Sequence, residues 1–269
     1  MMDGDLFVGI DVAFAKKKRL PMCVLRSVAN NLKIVPMRKF FRPPPAGKEN
    51  AAALDDDIRI HYAAEVRAWL TDLEQEIEGK IRRIPIDAPR SFCLKMQARR
   101  AADRKMDELK ISVFTTPTKA QFDEIKGRAR DHLASGGAES RMPHANQIWM
   151  LIGFELFKVL DPQFECIEVY PQATVRILDA GHHRKSSHAG HRSQIIVLSD
   201  RLNTSYDELS KQVPQVGYGS KHDKLDALMS AWVASLGAHE RIPLGDPPND
   251  VIGARALDLW PNFAIGTDV

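Results

Sequence analysis

The chain has 269 residues, 44% of them apolar, and a formal net charge of +3, enough apolar material for one sizeable core. No run approaches the roughly eighteen uncharged apolar residues of a transmembrane helix, which argues against a membrane protein. Cys23, Cys93 and Cys166 form no C-x-x-C pair and the start, Met1-Met2-Asp3-Gly4-Asp5, is unlike a signal peptide, so reduced thiols and a cytoplasmic location are expected.

Leu6 to Val12 reads as a short buried strand carrying Gly9-Ile10-Asp11. Pro21 to Val28 and Leu32 to Phe40 are β-rich runs joined by Ala29-Asn30-Asn31, a hairpin signal because Asn tolerates positive φ. Arg42-Pro43-Pro44-Pro45-Ala46-Gly47 predicts a loop, since proline cannot donate to a central ladder. From about Asp57 to Glu78, Tyr62, Val66, Trp69, Leu70, Leu73 and Ile77 recur at helical spacing, with Asp55 to Asp57 at the end where the helix dipole favours acids. Ile81 to Ile86 predicts a fourth strand that runs into Asp87-Ala88-Pro89. Residues 90–160 read as a mostly helical insertion, broken at Thr115-Thr116-Pro117-Thr118 and at Ala134-Ser135-Gly136-Gly137. Phe164 to Val169 predicts a fifth strand ending on Tyr170-Pro171. Helices are expected over Ala173 to Leu178, Gln194 to Leu202 and Asp223 to Leu236, the last with Leu225, Leu228, Met229, Trp232 and Leu236 on its buried side. Residues 241–269, with five prolines or glycines before Ala254, predict an irregular C-terminal wrap.

This order matches a ribonuclease-H-like α/β domain: a mixed five-stranded sheet flanked by helices, one domain over residues 1–269, with the helical insertion after the fourth strand. In that layout the first and fourth strands are neighbours. Asp11 and Asp87 would then stand side by side at the carboxyl end of the sheet, with Glu168 next to Asp87.

Each acid also has a plainer reading. Asp11 can cap the turn after its strand. Asp87, beside Ile84 and Ile86, needs cationic compensation, from a metal or from Arg82, Arg83 or Arg90. Glu168 can face solvent on an alternating strand. Asp223 and Asp226 lie one helical turn apart, and Ser220-x-x-Asp223 resembles a capping box, whereas Asp226 falls between the core positions Leu225 and Met229. Together, acids at neighbouring strand ends and an acid on a facing helix point to divalent-metal chemistry on a phosphodiester.

Gly9-Ile10-Asp11-Val12-Ala13, Ile86-Asp87-Ala88-Pro89, Arg99-Arg100-Ala101-Ala102-Asp103, Glu168-Val169-Tyr170-Pro171 and Asp223-Lys224-Leu225-Asp226-Ala227-Leu228, in this order, resemble the family catalogued as domain of unknown function 429. The resemblance runs from Phe7 to about Leu244. It implies a predicted nuclease of the ribonuclease-H-like superfamily. The acid that ribonucleases H carry on the first helix has no clear counterpart here, Glu65 being the nearest candidate; either Glu168 substitutes for it or the site is incomplete.

The basic residues are grouped. Ten Lys/Arg and no acid lie between Lys16 and Lys48, nine acids against Arg59 and Arg67 lie from Glu49 to Glu78, and fourteen basic residues against six acids lie from Lys80 to Arg130. Such blocks make a surface able to attract a polyanion, or simply solvated faces. Lys16, Lys17 and Lys18 follow Asp11 closely and could grip a phosphate backbone, or form a charged tip that blunts a sheet edge. Arg99 and Arg100 are further candidates, although Arg99 and Asp103 are spaced for a helix ion pair. The polar run His182 to Arg192 contains four histidines, but its spacing fits no zinc pattern, and Lys185 and Arg192 there suit phosphate contact better. His222, beside Asp223, could relay protons or simply be a solvent-exposed histidine at a helix start.

The sequence therefore predicts a nuclease with two Mg²⁺ or Mn²⁺ ions: Asp11 bridging both, Asp87 and Asp226 holding one each, assisted by Glu168 or Asp223, on DNA or RNA. One rival is a nucleic-acid-binding or adaptor module with the same fold and no turnover. The other is an actin-like ATPase or sugar kinase, which would need a D-x-G phosphate loop and a Gly-Gly adenosine loop; Gly136-Gly137 is the candidate pair, without an accompanying Asp-Gly strand.

Overall fold

The central strand, β1 (Asp5–Asp11), is covered on both faces, by different helices. Leu6, Val8 and Ile10 point into one core and Phe7 into another, the alternation a doubly covered strand imposes. β2 (Met22–Val28) and β3 (Asn31–Val35) extend the sheet on one side as antiparallel neighbours, turning at Ala29 and Asn30, both at positive φ. In this computed structural model, which describes residue 2 and residues 4–94, 98–180, 183–246 and 250–255, β4 (Lys80–Asp87) and β5 (Cys166–Glu168) extend it on the other side in parallel. The order is β3-β2-β1-β4-β5.

The third strand is shorter than its sequence suggests. Pro36 has no N–H to give the ladder, so β3 stops at Val35 and a single turn, α1 (Met37–Phe40), follows. α2 (Asp56–Ile77) starts at Asp55, whose side chain accepts from Ile58 N at 3.1 Å, and ends at Glu78 in the left-handed conformation. Its buried residues Tyr62, Val66, Trp69, Leu70 and Leu73 pack on the Leu6–Val8–Ile10 face, at about 1.5–3 kcal/mol for each large side chain fully buried.

After β4 the helical stretch is broken more often than expected. Helices begin only with α3 (Ala101–Glu108), and continue with α4 (Lys119–Ala134), α5 (Ala145–Ile148) and α6 (Met150–Leu160). α6 joins α2 in the first core through Leu156, Phe157 and Leu160.

β5 is followed by α7 (Pro171–Ile177), α8 (His188–Arg201), α9 (Tyr206–Val216) and α10 (Lys221–Ser235). α8 starts earlier than hydrophobic spacing indicates because Ser187 caps it, accepting from Gly190 N at 3.0 Å. α9 contains Pro214 and is not evident from spacing. α10 lies on the Phe7 face, across β1, β2 and β4. Among the described residues no helix is long and apolar enough to cross a membrane.

The expected irregular wrap is, over its first part, a hairpin: β6 (Arg241–Asp246) pairs antiparallel with β7 (Asp250–Arg255). Leu244, Ile252 and Ala254 close a third small core with Ala102, Met106 and Ala173. Residues 247–249 and 256–269 of that wrap, and His182 of the histidine run, lie outside the described residues.

Candidate active site

Strand parity places the acids. Ile84 and Ile86 belong to the α2 side, so Arg83, Pro85 and Asp87 of β4 face α10, just as Phe7, Gly9 and Asp11 of β1 do. Asp11 and Asp87 are register partners on these parallel strands. α10 brings the third acid down onto them: Asp226 is 1% exposed and packs between Leu225 and Ala227. Gly9 makes the approach possible, since a Cβ there would meet Ala227 O at 2.0 Å.

The three carboxyls feel one another. Asp11 is raised well above the ordinary carboxyl range, by burial first and then by Asp87, Asp226 and Asp223, with Lys185 opposing. Asp87 is pushed up to about 8 by burial and then by Asp226. Asp226 is raised by burial, with Lys185 pulling it back. None of the three arginines near Asp87 in sequence serves as its counter-ion: Arg82 pairs with Asp5, Arg83 with Glu165 and Arg90 with Asp161.

Lys185 is the cation that enters the cup. Its Nζ lies 2.7 Å from Asp226 Oδ2. Burial would lower this ammonium, but Asp226, and behind it Asp87 and Asp11, outweigh that and hold it raised. Asp226 Oδ1, the other oxygen, is buried without a hydrogen-bond partner. Among the described residues no three His, Cys, Asp or Glu side chains stand close enough together to hold a metal ion as placed.

Asp223 has a different task. It closes a capping box with Ser220, accepting from Ser220 N at 2.8 Å, and its carboxylate also meets Lys18 at 3.6 Å and His222 at 3.1 Å. Burial acts to raise it, and the Ser220 bonds and these cations more than offset that, leaving it low.

Glu168 is paired in register with Ile86, not Asp87, yet it lines the same cavity as Asp87 and acts on that carboxyl, raising it. It is 4% exposed and accepts from Arg100 at 2.6 and 2.9 Å and from the backbone N of Arg90 at 2.7 Å. Arg100 also donates to Asp103. Glu168 therefore holds the segment that follows Asp87 and has its charge met internally. Arg100, expected at a nucleic-acid surface, is 3% exposed and cannot reach one, and the ion pairs differ from the expected Arg99–Asp103: Arg99 meets Asp107 and Arg100 meets Asp103.

The other basic candidates divide. Lys16, paired with Glu49 at 2.7 Å, and Lys18 have exposed side chains in the loop between β1 and β2, and Lys17 sits between them at positive φ. Arg192 stacks over the Tyr206 ring at 5.4 Å, between α8 and α9. Gly136 and Gly137 cap the end of α4, their amides donating to Leu133 O and His132 O, so neither amide is offered to a nucleotide.

Sequence reasoning missed the Lys185–Asp226 contact and the Arg100–Glu168–Asp103 cluster. The only trace of the latter is the unusual pairing of Arg100 with Asp103 at a helix start whose neighbours, Ala101 and Ala102, are core residues.

A family model described as "Protein of unknown function (DUF429)" matches residues 45–249. No curated protein and no solved structure matches the chain.

Proposed function

The chain belongs to the DUF429 family of proteins of unknown function, and we propose that it is a metal-dependent phosphodiesterase of the ribonuclease-H-like type, acting on DNA or RNA. The observation that carries this reading is Asp226. It is buried against two further acids, one oxygen is held by Lys185, and the other has no partner. An unsatisfied buried acceptor costs on the order of 1–3 kcal/mol, more when charged, and a cation recovers that cost. The strand order β3-β2-β1-β4-β5, antiparallel on one side of β1 and parallel on the other, supports the superfamily.

Asp11, Asp87 and Asp226 would hold Mg²⁺ or Mn²⁺, an all-oxygen donor set of the kind hard cations take. Bound there, the metal would lower the pKa of an attacking water and neutralise charge on the reacting phosphate. Asp87 must surrender its proton to serve, and does so readily only where a cation compensates. Glu168 and Arg100 fix the backbone after Asp87, keeping its carboxyl beside Asp11. Lys16, Lys17 and Lys18, next to the start of α10 through the Lys18–Asp223 contact, would hold the nucleic-acid backbone.

A second reading, a nucleic-acid-binding module without turnover, is favoured by one observation: Lys185 and Arg100 already neutralise Asp226 and Glu168. Labelled DNA and RNA oligonucleotides incubated with Mg²⁺, Mn²⁺ or EDTA decide between them. The enzyme reading expects metal-dependent products that disappear in Asp11→Asn and Asp226→Asn variants of unchanged fold. Tight binding with no product under any condition selects the module, and cleavage that survives Asp226→Asn ends the metal proposal.

A further inference from the structure

We propose that the ammonium of Lys185 takes the place of one metal ion in the acid cup, so that the carboxylates hold one divalent cation fewer than they would without it. This rests on the metal reading of Asp11, Asp87 and Asp226 given above.

Geometry supplies the first argument. The two oxygens of Asp226 are in different states: Oδ2 receives Lys185 Nζ at 2.7 Å, and Oδ1, equally buried, receives nothing. One oxygen is thus occupied by an internal cation and the other is left for an external one. The second argument is charge. Three ionised carboxylates are balanced by one ammonium plus one divalent cation, whereas two divalent cations plus Lys185 would leave excess positive charge in a partly buried cleft, which is costly.

The third argument is that Lys185 is held in place. The turn bearing it is closed by Ser187, whose N and Oγ both donate to Arg184 O, at 2.9 and 2.7 Å. The same hydroxyl accepts from Gly190 N at 3.0 Å and so caps α8. Gly190 completes the fit, because a Cβ there would lie 2.2 Å from Arg184 O. The lysine stem is therefore presented from a helix start, and its tip reaches Asp226, 41 residues away in sequence.

The experiment counts bound Mn²⁺ by equilibrium dialysis with metal analysis, and reads the electron paramagnetic resonance signal for spin-coupled ion pairs. Lys185→Met keeps the length of the side chain and removes its charge, and Lys185→Arg keeps the charge. The Met variant is folded in Mn²⁺-containing buffer and its fold checked by circular dichroism, and Asp226→Asn supplies the no-site baseline. The inference expects Lys185→Met to bind one more equivalent of Mn²⁺ than the wild type, and Lys185→Arg to match the wild type. Equal stoichiometry in wild type and Lys185→Met overturns it. A coupled pair already present in both overturns it while leaving the metal reading intact, and no bound Mn²⁺ in either overturns both. If the Met variant does not fold, a coupled pair in the wild type overturns the inference and a single uncoupled ion absent from Asp226→Asn supports it.

Discussion

Gly9 lies directly beneath Ala227, so close that a Cβ on Gly9 would sit 2.0 Å from the Ala227 carbonyl oxygen. This contact sets the height of α10 above β1, and so the distance from Asp226 to Asp11. A side chain at residue 9 must push the helix outward. Gly9→Ala is expected to destabilise the chain by about 1–3 kcal/mol, the range for overpacking a well-filled interior. It should also cut the Mn²⁺-induced rise in melting temperature. Urea titrations and thermal melts with and without Mn²⁺ measure both, and an unchanged Mn²⁺ response would show that the approach of helix to strand does not define the site.

Asp87 gives the pH dependence. Its carboxyl, ordinarily near 4, is pushed up to about 8, by burial first and by Asp226 second. A group that holds its proton more tightly folded than unfolded contributes stability that is complete below about pH 4 and is lost as pH rises through about 8. Metal-free wild type should therefore weaken across that window relative to Asp87→Asn, which cannot ionise there. Mn²⁺ should stabilise the wild type more at pH 8 than at pH 5, because ligation displaces the proton. Urea midpoints of the two proteins at four or five pH values test this. A constant difference between them from pH 4 to 8 contradicts it.

The acids at the sheet centre were readable because strand alternation is a local rule. A glycine and two apolar runs ending in Asp11 and Asp87 specify which face each side chain takes, and register then makes them neighbours. Glu168 stands near Asp87 as expected, lining the same cavity and raising the Asp87 carboxyl, but its register partner is Ile86 and its own carboxylate is taken up by Arg100. Its partner Arg100 lies 68 residues away, and no helical periodicity reveals a contact of that range. Lys185 was legible as a basic loop residue but not as part of the acid cup, because the turn at Ser187 and the docking of α10 decide it together. The hairpin β6–β7 was hidden by its prolines and glycines, which resemble loop composition until Leu244 and Ile252 find Ala102 and Met106.

Arg100 makes a prediction opposite in kind to that for Asp226. Its guanidinium bridges Glu168 and Asp103, and all three side chains are buried. Asp103 spends its second oxygen on Thr116 N at 3.0 Å, so the cluster also fastens the segment between α3 and α4. Arg100→Met leaves two buried carboxylates facing each other and should cost about 3–5 kcal/mol. Glu168→Gln keeps shape and some hydrogen bonds, so its loss should be smaller. Crucially, Glu168→Gln should retain the Mn²⁺-induced shift in melting temperature that Asp226→Asn loses. A Glu168→Gln protein of normal stability that no longer responds to Mn²⁺ would return Glu168 to the ligand set.

The basic loop between β1 and β2 separates the contacts to nucleic acid from internal ion pairs. Lys16 and Lys18 are more than half exposed, at 64% and 52%, and their partners are the surface Glu49 and the capping Asp223. The Lys16–Glu49 pair is of the surface type that contributes little to stability, because solvent screens it. Asp223, although buried, keeps its Ser220 hydrogen bonds when the 3.6 Å contact with Lys18 is lost. Exchange of these partners for phosphates releases counterions, and each phosphate contact steepens the salt dependence of duplex binding by about 0.9 in a log–log plot. Replacing Lys16, Lys17 and Lys18 by alanine should therefore weaken binding of a catalytically silent Asp11→Asn protein to oligonucleotide, and lower that slope by up to ~2.7. Arg192→Ala, which loses a stacking contact with Tyr206, should leave the slope unchanged. Fluorescence anisotropy at four salt concentrations measures both. If the triple variant keeps the wild-type slope, the loop is a charged hairpin tip and the nucleic acid approaches the acids from elsewhere.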